Sequence, residues 1–359
     1  MTSILKVNQI QDIGGNTIVS SDGSGGFTSN LPAQPQNAFR NIIINGDMSI
    51  AQRSTSVASV TTSDYRTCDR FKVDVETIGT YTISQSTDVP TGEGFATSLK
   101  IDCTTADASP ASSDALIIRQ LIEGQNLQYL RKGTASALST TLSFWVKSTK
   151  TGDIQVNLRD LDNSRMISYT ATINSANTWE KKTVTFAGDT TGALGNDNGA
   201  SLQLEWFLDS GSDYSSGTFS SSWTSFSAAN RNVNGTLDLA DNTANDFYLT
   251  GVQLEAGTTA SDFEFLPYDV NLQRCFRYAY KLGNIRLTKG RESDRSRDGT
   301  YVMPVEMRAS VSVPSITTTA GRSISVFNQT NKSFVMNAVA NSDGENADVT
   351  SQVVVSAEL

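Results

Sequence analysis

The 359-residue chain has no histidine, three cysteines and seven prolines, and only 18% of its residues are charged. The absence of histidine excludes Ser-His-Asp and Cys-His catalysis and removes the commonest metal ligand. Cys68, Cys103 and Cys275 are widely separated and lack a C-x-x-C spacing. We therefore expect buried free thiols rather than a zinc site or a disulfide framework.

Long apolar runs and an excess of positive charge are also missing. No stretch approaches the roughly 18 apolar residues that span a bilayer, and the N-terminus has neither a basic start nor an apolar h-region. The net charge of -9 argues against nucleic acid as the main partner, because phosphate binding needs a positive surface. We expect a soluble chain that does not insert into membranes.

Short alternating segments separated by Ser, Thr, Asn and Gly make up the largest part, residues 37–268. In "TTLSFWVKST" the side chains of Leu142, Phe144 and Val146 fall on one face of a strand. The same alternation recurs in "GDIQVNLRD", "SLQLEWFLDS" and "NDFYLTGVQLE". No proline lies between Ala111 and Leu266, as expected of paired strands that keep their ladder donors. This pattern predicts an all-β fold, an antiparallel β-sandwich.

Residues 1–36 are too few to form a core. The turn sequence Gly14-Gly15-Asn16 predicts a hairpin, although the three-residue apolar spacing from Ile4 to Ile13 also fits a helix. The stretch "SDGSGGFTSNLPAQPQN" then predicts a linker. A lone hairpin is marginal in water, so we expect this segment to attach to sister chains or to a larger assembly. The apolar residues expected to dock are Leu5, Val7, Ile10, Ile13, Ile18 and Val19.

Residues 269–359 are predicted to form a smaller β domain opened by a short helix. In "DVNLQRCFRYAYKLG", Asp269 can cap the helix and Gly283 can end it. The apolar stripe of that helix is Leu272, Cys275, Phe276, Ala279 and Leu282.

Several motifs resemble virion structural and tail-fibre proteins of tailed bacteriophages, frequently phages of marine cyanobacteria. They are "ILKVNQIQD", "NIIINGDMSIAQR", "RQLIEGQNLQYL", "LSFWVKST", "TWEKKTVTFAGDTTG", "FYLTGVQLEAGTTASDFEFLPY", "LQRCFRYAYK" and "MPVEMRASVSVPSI". "NIIINGDM" and "DFYLTGVQLEAG" are also similar to the bracketing strands of jelly-roll carbohydrate-binding modules. The resemblance implies a jelly-roll-like sandwich, location in the virion, a homotrimer as in such fibres, and other virion proteins as partners.

The resemblance to carbohydrate-binding modules also implies a structural calcium near the first bracketing strand, with an acidic ligand in the last strand. The corresponding position here is Thr250-Gly251. Asp47 and Asp246 are nearby in sequence, so a Ca²⁺ site and solvated turn carboxylates are both retained as interpretations. No other cofactor is expected.

Aromatic residues are the candidates for contact with a host surface glycan, because sugar rings stack on apolar ring faces. The candidates are Trp145, which alternates with the core residues of its strand, and Tyr214, Phe219, Trp223 and Phe226, which lie in a polar stretch typical of an exposed loop. The alternative is that these loop aromatics fix their loop to the sandwich.

Eight basic residues fall within 24 positions and form a candidate basic patch: Arg274, Arg277, Lys281, Arg286, Lys289, Arg291, Arg295 and Arg297. The first three would share one helical face. Such a patch could contact nucleic acid or an acidic glycan, pair with an acidic neighbouring domain or subunit, or be solvated beside Glu292 and Asp294.

Three functions are consistent with these features. The first is a non-enzymatic tail fibre or appendage subunit that contacts the host surface; the second is a capsid-decorating or head-fibre protein; the third is a polysaccharide depolymerase. Glycosidases need paired carboxylates, but no spacing singles out a pair among Glu123, Asp160, Asp162 and Glu205. We expect no enzymatic activity.

Overall fold

The computed structural model describes residues 7–21, 23–24, 26–29, 39–282, 286–287, 297–313, 323–339, 347–348 and 353–359. Chain contacts divide it into two units, Met1–Arg40 and Asn41–Leu359. The division predicted at residue 268 falls inside the second unit and stays a prediction. No helix among the described residues is long and apolar enough to cross a membrane.

The first unit contains a three-stranded antiparallel sheet. Its strands are β1 (Gln9–Gln11), β2 (Thr17–Ser21) and β3 (Phe27–Ser29), in the order β1-β2-β3. The predicted hairpin is present, and its turn is closed by the Asp12 carboxylate, which accepts 2.8 Å hydrogen bonds from the amides of Gly14 and Asn16. The third strand lies in the predicted linker, where the β-favouring Phe-Thr pair meets β2.

Eleven strands form the sheet that dominates the second unit. They are β4 (Ser56–Tyr65), β5 (Lys72–Ser86), β6 (Ser98–Thr105), β7 (Ala115–Glu123), β8 (Thr140–Ser148), β9 (Gly152–Asp160), β10 (Arg165–Ile173), β11 (Glu180–Phe186), β12 (Ala200–Ser210), β13 (Thr224–Ser225) and β14 (Asp246–Ala256). The connections contain helix α1 (Ser212–Ser215) and 3₁₀ turns at Gly124–Asn126, Gln128–Leu130, Ala228–Asn230 and Leu239–Asp241.

This sheet folds over onto itself. Its order is β11-β8-β14-β6-β5-β7-β12-β9-β10-β13, and β4 also pairs with β5. The rings of Phe144 on β8 and Trp206 on β12 meet at 5.8 Å between centroids, although β14, β6, β5 and β7 separate these strands in the sheet. The two halves therefore enclose one apolar core, and the predicted all-β sandwich is confirmed.

Strand β5 makes the corner between the halves. Its second part, from Thr80, pairs with β6, and its first part, up to Glu76, pairs with β7. Between them Thr77 and Gly79 have φ values of 57° and 59°, which breaks the extended path. The strands predicted from alternation are present, and their inward residues, such as Leu142 and Leu204, are fully buried. Each of the three cysteines is free and buried, as expected.

The two bracketing motifs lie side by side. The Ile42 amide donates to the Leu254 carbonyl at 2.8 Å, and the Val252 amide donates to the Gly46 carbonyl at 2.9 Å. Residues 41–46 therefore run beside β14, and the beginning and end of the sandwich are joined.

The helix that follows the sandwich, α2 (Tyr268–Phe276), is shorter than predicted. Residues Ala279–Lys281 form strand β15 instead, because the last strand of the chain, β21 (Val354–Ser356), pairs with them. The prediction of a helix continuing to Leu282 is therefore wrong. The remaining strands are β16 (Arg286–Leu287), β17 (Arg297–Val302), β18 (Ser323–Phe327), β19 (Ser333–Val339) and β20 (Ala347–Asp348).

Buried ionic contacts join this last part to the sandwich. Glu123 at the end of β7 accepts two hydrogen bonds from Arg277, at 2.8 and 2.6 Å. Arg70, which is almost fully buried, pairs with Glu358 and lies 3.5 Å from the centre of the Tyr278 ring. Removing one partner of such a pair would leave a buried charge without compensation.

Candidate functional site

The sandwich has two outward surfaces that differ in what covers them. We call the outward side of β11, β8, β14 and β6 the open face, and the outward side of β7, β12, β9 and β10 the covered face. On the open face Trp145 and Lys147 point away from the core because their neighbours Phe144 and Val146 point into it. Residues 258–265 cover the outward side of β14 from Gln253 onward: Gln253 and Glu255 are buried, the Glu264 amide donates to Gln253, and Ser261 donates to Glu255.

Six rings form an aromatic strip along the open face: Phe95, Trp145, Trp179, Tyr248, Phe263 and Phe265. Trp179 and Tyr248 meet edge to face, with ring centroids 6.1 Å apart. Phe95, Phe263 and Phe265 form a triad with centroid separations of 4.8 to 5.1 Å. Phe265 is 49% exposed, while Trp145 and Trp179 are half-buried. Phe95 and Tyr248 are buried, at 8% and 9% exposed. The accessible ring surface of the strip therefore comes from Phe265 and, in part, from Trp145, Trp179 and Phe263.

Gly251 brings the two parts of the strip together. It lies in a bulge of β14 with φ of 60°, and a Cβ atom there would be 2.7 Å from Phe95 and 2.9 Å from Trp145. Only glycine leaves room for these two rings to approach the backbone.

Charged groups hold the rings in place. Asp88 accepts a 3.0 Å hydrogen bond from the Trp179 indole and pairs with Lys147, whose ammonium lies 4.4 Å from the centre of the Tyr248 ring. Burial alone would raise the pKa of Asp88, but the hydrogen bonds from Lys147 and Trp179 lower it below its usual value. The carboxylate is therefore ionised at neutral pH and fixes both the indole and the ammonium.

Sequence alternation identified Trp145 but missed Trp179, Tyr248 and the phenylalanine triad. Tyr248 had a usable signal, because it alternates with the buried residues Phe247 and Leu249. Phe95 and Phe265 had none, since they come from loops that only the fold brings to the sheet.

The predicted loop aromatics contact the protein's own groups: Tyr214 lies on the covered face, and Trp223 packs against the apolar core. The Tyr214 ring lies 5.6 Å from that of Phe207, and its hydroxyl donates to Glu76 at 2.8 Å. The Trp223 indole donates to the Ala187 carbonyl at 2.6 Å. These contacts hold residues 211–236 against the sheet, in agreement with the alternative interpretation of fixing the loop.

The two remaining loop aromatics are half-buried. The Phe226 ring centre lies 4.0 Å from the guanidinium of Arg159, as a cation–π pair. Phe219 is partly buried within its loop. The structure therefore does not bring Trp145 and these loop residues together on one surface.

A polar network around the fully buried Glu205 lies beneath that loop. Glu205 accepts hydrogen bonds from Arg231 at 3.0 and 2.7 Å and from Asn157 at 3.0 Å, and the Arg159 guanidinium is 3.5 Å away. Burial alone would raise the pKa of Glu205, but the charges of Arg231 and Arg159 and the hydrogen bonds lower it to about 2. The covered face is thus occupied by the protein's own side chains.

The candidate basic patch does not form one helical face. Arg274 is on α2 and donates to the Asn41 carbonyl at 3.2 Å, Arg277 lies past the helix and pairs with Glu123, and Lys281 is in β15. For Arg277 the interpretation of pairing with an acidic neighbouring region is therefore the one observed. Arg286 and Arg297 begin β16 and β17, and Lys289, Arg291 and Arg295 lie outside the described residues.

The two candidate calcium ligands are far apart. The Asp47 carboxylate accepts hydrogen bonds from Asn271 and Ser49, both at 3.1 Å. Asp246 pairs with Lys100 at 3.1 Å and lies four residues, roughly 13 Å of strand, before Thr250. The Thr250 hydroxyl itself donates to the Thr97 carbonyl at 2.8 Å. Across the described ranges, no three acidic or cysteine side chains converge as a metal site.

The candidate docking residues of the first unit are mostly accessible. Val7, Ile10 and Ile13 are exposed, and Ile18 and Val19 are half-buried. Leu5 lies outside the described residues.

No family model matches the chain, and no curated protein matches it. Among solved structures, it is similar to the enzymatically active domain of tailspike protein 4 of bacteriophage CBA120, at 16% identity over 61% of this chain and 22% of that one, with a TM-score of 0.31. It thus spans about a fifth of the tailspike chain.

Carbohydrate-binding modules are also among the similar solved structures. The cellulose-binding domain of Cellulomonas fimi β-1,4-glucanase C is 11% identical over 59% of this chain and 100% of its own, with a TM-score of 0.26. The family 30 module of a Clostridium thermocellum cellulosomal cellulase is 14% identical over 58% and 98%, with a TM-score of 0.25. Likeness at this level assigns neither a family nor a function.

Proposed function

We propose that this protein is a non-enzymatic structural component of a tailed bacteriophage particle, a tail-fibre or appendage subunit that contacts a host surface glycan through the aromatic strip of the open face. The observation that carries the glycan proposal is the strip itself: six rings on one sheet surface, fixed by Gly251 and by the Asp88 network. The phage assignment is supported by the sequence motifs that resemble virion proteins.

The chemistry of the strip suits a sugar chain. Apolar ring faces stack on the C–H faces of sugars, and rigid aromatic side chains lose little conformational entropy on binding. Around the rings, Asp88, Lys100 and Asp102 offer both hydrogen-bond acceptors and donors, with side chains between 24% and 43% exposed. Opposite charges alternate there, which favours a ligand recognised by hydrogen bonds over one recognised by net charge.

The carboxylates that could have formed a glycosidase pair are in environments that support a non-enzymatic role. Glu123, Asp160 and Glu205 are each buried and paired with Arg277, Lys132 and Arg231. A general acid needs a raised pKa, whereas the pKa values of Glu123 and Glu205 are lowered because their cations and hydrogen bonds outweigh burial.

Binding is tested with Trp145→Ala and Trp179→Ala, measured against host cells and against isolated host surface glycan. We expect each variant to lose about fivefold or more in affinity, since stacking on one aromatic ring contributes on the order of 1 kcal/mol. Trp223→Ala is the matched control, because this tryptophan packs against the core and is not part of the strip. Unchanged binding by both strip variants, at unchanged melting temperature, would overturn the glycan proposal.

The virion role is tested separately. We propose a homotrimer anchored through residues 1–36, supported by the exposed apolar side chains of Val7, Ile10 and Ile13. Deleting residues 1–36 should abolish incorporation into particles while the sandwich stays folded, and native mass spectrometry should show trimers of the full chain. A stable monomer that is incorporated normally after the deletion would contradict this part. Antibody labelling of particles distinguishes a tail fibre from the capsid-decorating alternative.

One observation favours the depolymerase alternative. Asp102 and Asp246 lie directly opposite each other on β6 and β14, beside Tyr248. Burial and the neighbouring Asp246 raise the pKa of Asp102, as a general acid would need. Incubating the protein and its Asp102→Asn variant with host polysaccharide tests this: shortened chains that disappear with the variant would replace the non-enzymatic proposal.

A further inference from the structure

A lysine ammonium is enclosed by oxygen atoms at the end of the sandwich near the covered face. Lys132 Nζ pairs with the carboxylates of Asp160 and Asp189, the second at 3.1 Å, and donates to the carbonyls of Thr191 and Gly192 at 2.8 and 2.9 Å. The three charged side chains are at most 7% exposed. We call these four oxygen atoms the oxygen cage.

The cage contains more oxygen acceptors than the ammonium has N–H donors. An ammonium has three N–H donors, whereas four oxygens, two of them from carboxylates, surround this one. Two carboxylates with two main-chain carbonyls are the ligand types that Ca²⁺ prefers, with water filling further positions. The arrangement is therefore that of a hard-cation site whose cation is a side chain.

The cage also joins segments that are distant in sequence. Asp160 ends β9, Asp189 to Gly192 follow β11, and Lys132 comes from the turn after β7. Arg165 pairs with Asp189 at 2.7 Å. The loop over the covered face is linked to the cage as well, since the Lys132 ammonium lies 5.3 Å from the centre of the Trp223 ring.

We propose that Lys132 acts as a built-in structural cation, so that this end of the sandwich keeps its form without a divalent ion, and that removing its side chain leaves a site that binds Ca²⁺. The inference is independent of glycan binding and of the virion role. Shortening Lys132 to alanine leaves the buried Asp160 carboxylate without a cation and leaves Asp189 with Arg165 alone. The cage then has a net negative charge, which a divalent ion compensates.

The test compares Lys132→Ala with the wild type by thermal denaturation in EDTA and in millimolar Ca²⁺, with Ca²⁺ titrated by calorimetry. We expect the wild type to melt at the same temperature in both solutions. The alanine variant should melt several degrees lower in EDTA, recover most of the loss in Ca²⁺, and bind one Ca²⁺ with an affinity of roughly 0.1–1 mM, as for open sites with few charged ligands.

Two further variants separate the proposal from an ordinary salt bridge. Lys132→Met keeps the length of the side chain, so it should be destabilised without recovering in Ca²⁺. In the double variant Lys132→Ala with Asp189→Asn, the recovery should be lost. An alanine variant that is as stable as the wild type in EDTA, or that gains nothing from Ca²⁺, overturns the proposal. If the alanine variant is unfolded in EDTA, refolding in Ca²⁺ supports the proposal and failure to refold in Ca²⁺ overturns it.

Discussion

The two outward faces of this sandwich have the same strand geometry but differ in how much of their outward side chains is accessible to solvent. On the open face, outward positions carry the half-buried Trp145 and the 9%-exposed Tyr248, beside the more accessible carboxylates of Asp88 and Asp102. On the covered face, outward positions carry Glu205 and Asn157, which are fully buried because residues 211–236 lie over them. Outward direction on a strand therefore does not by itself mean contact with solvent.

The two faces also differ in the hydrogen-bond partners and the exposure of their charged side chains. The Glu205 carboxylate accepts from Arg231 and Asn157 of the same chain and is fully buried. Asp88 also has internal partners, but its side chain is 43% exposed. Loss of an internal contact should therefore reduce stability on the covered face and binding on the open face.

The largest expected effect is on the covered face. Arg231→Ala removes the bidentate partner of the buried Glu205 carboxylate, and breaking such a pair costs about 3–5 kcal/mol because a charge remains buried without compensation. Urea denaturation monitored by circular dichroism measures the change. Arg231→Ala combined with Glu205→Gln should recover part of the loss; an equal loss in the double variant would contradict this explanation.

A second prediction concerns pH and compares two acids of strand β12. Burial, with the negative Asp238 nearby, raises the pKa of Asp209 to about 6, whereas that of Glu205 is about 2. A raised carboxyl pKa means that the folded state binds the proton more tightly, so the contribution of Asp209 to the free energy of unfolding is highest below about pH 4 and falls as pH rises through 6. For Glu205 the contribution is present above about pH 4.5 and is lost as pH falls toward 2.

Asp209→Asn isolates the first of these contributions. The amide oxygen can still accept from the Ala240 amide, as the carboxylate does at 2.9 Å. We expect the variant to be more stable than the wild type at pH 7, by on the order of 1–3 kcal/mol, and the difference to shrink toward pH 4. Denaturation at a series of pH values measures it, and a difference that does not vary with pH would count against the assignment.

The smallest stability effect is expected on the open face. Gly251→Ala places a Cβ atom against Phe95 and Trp145 in a left-handed backbone conformation, which should lower the free energy of unfolding by about 1–2 kcal/mol. Glycan affinity should fall as well, because the rings must move apart. Gly257→Ala is the control, since its φ of 123° also strains an alanine but leaves nothing within 4 Å of the added Cβ. Equal glycan binding by both variants would show that the ring spacing does not matter.

The sequence correctly predicted which side chains of a strand enter the core wherever apolar and polar residues alternate. The strands around Phe144, Val156 and Leu204 have the predicted faces, and Trp206 lies in the core because its period matches that of its neighbours. The helix prediction failed past Phe276, where pairing with a strand from the end of the chain outweighs an apolar stripe of helical spacing. A local pattern contains no information about a partner as far along the chain as the last strand, β21.

The candidate site shows the same limit. Composition suggested aromatic residues as the contact residues, and Tyr214 and Trp223 lie in a stretch typical of an exposed loop. In the structure, hydrogen bonds fix both side chains to the protein instead. The strip needed Phe95 and Phe265 from two loops to reach Trp145 across Gly251.

The sequence by itself determined that the chain is all-β, that it lacks histidine chemistry, and which side of each strand enters the core, because these follow from composition and a period of two. Only the tertiary structure decided which outward side stays accessible and which charges are neutralised inside. Arg277, Arg231 and Lys132 each pair with a buried carboxylate, and no local pattern in the sequence indicates these three partners. The physical reason is that accessibility and charge compensation depend on groups that folding brings together from distant positions.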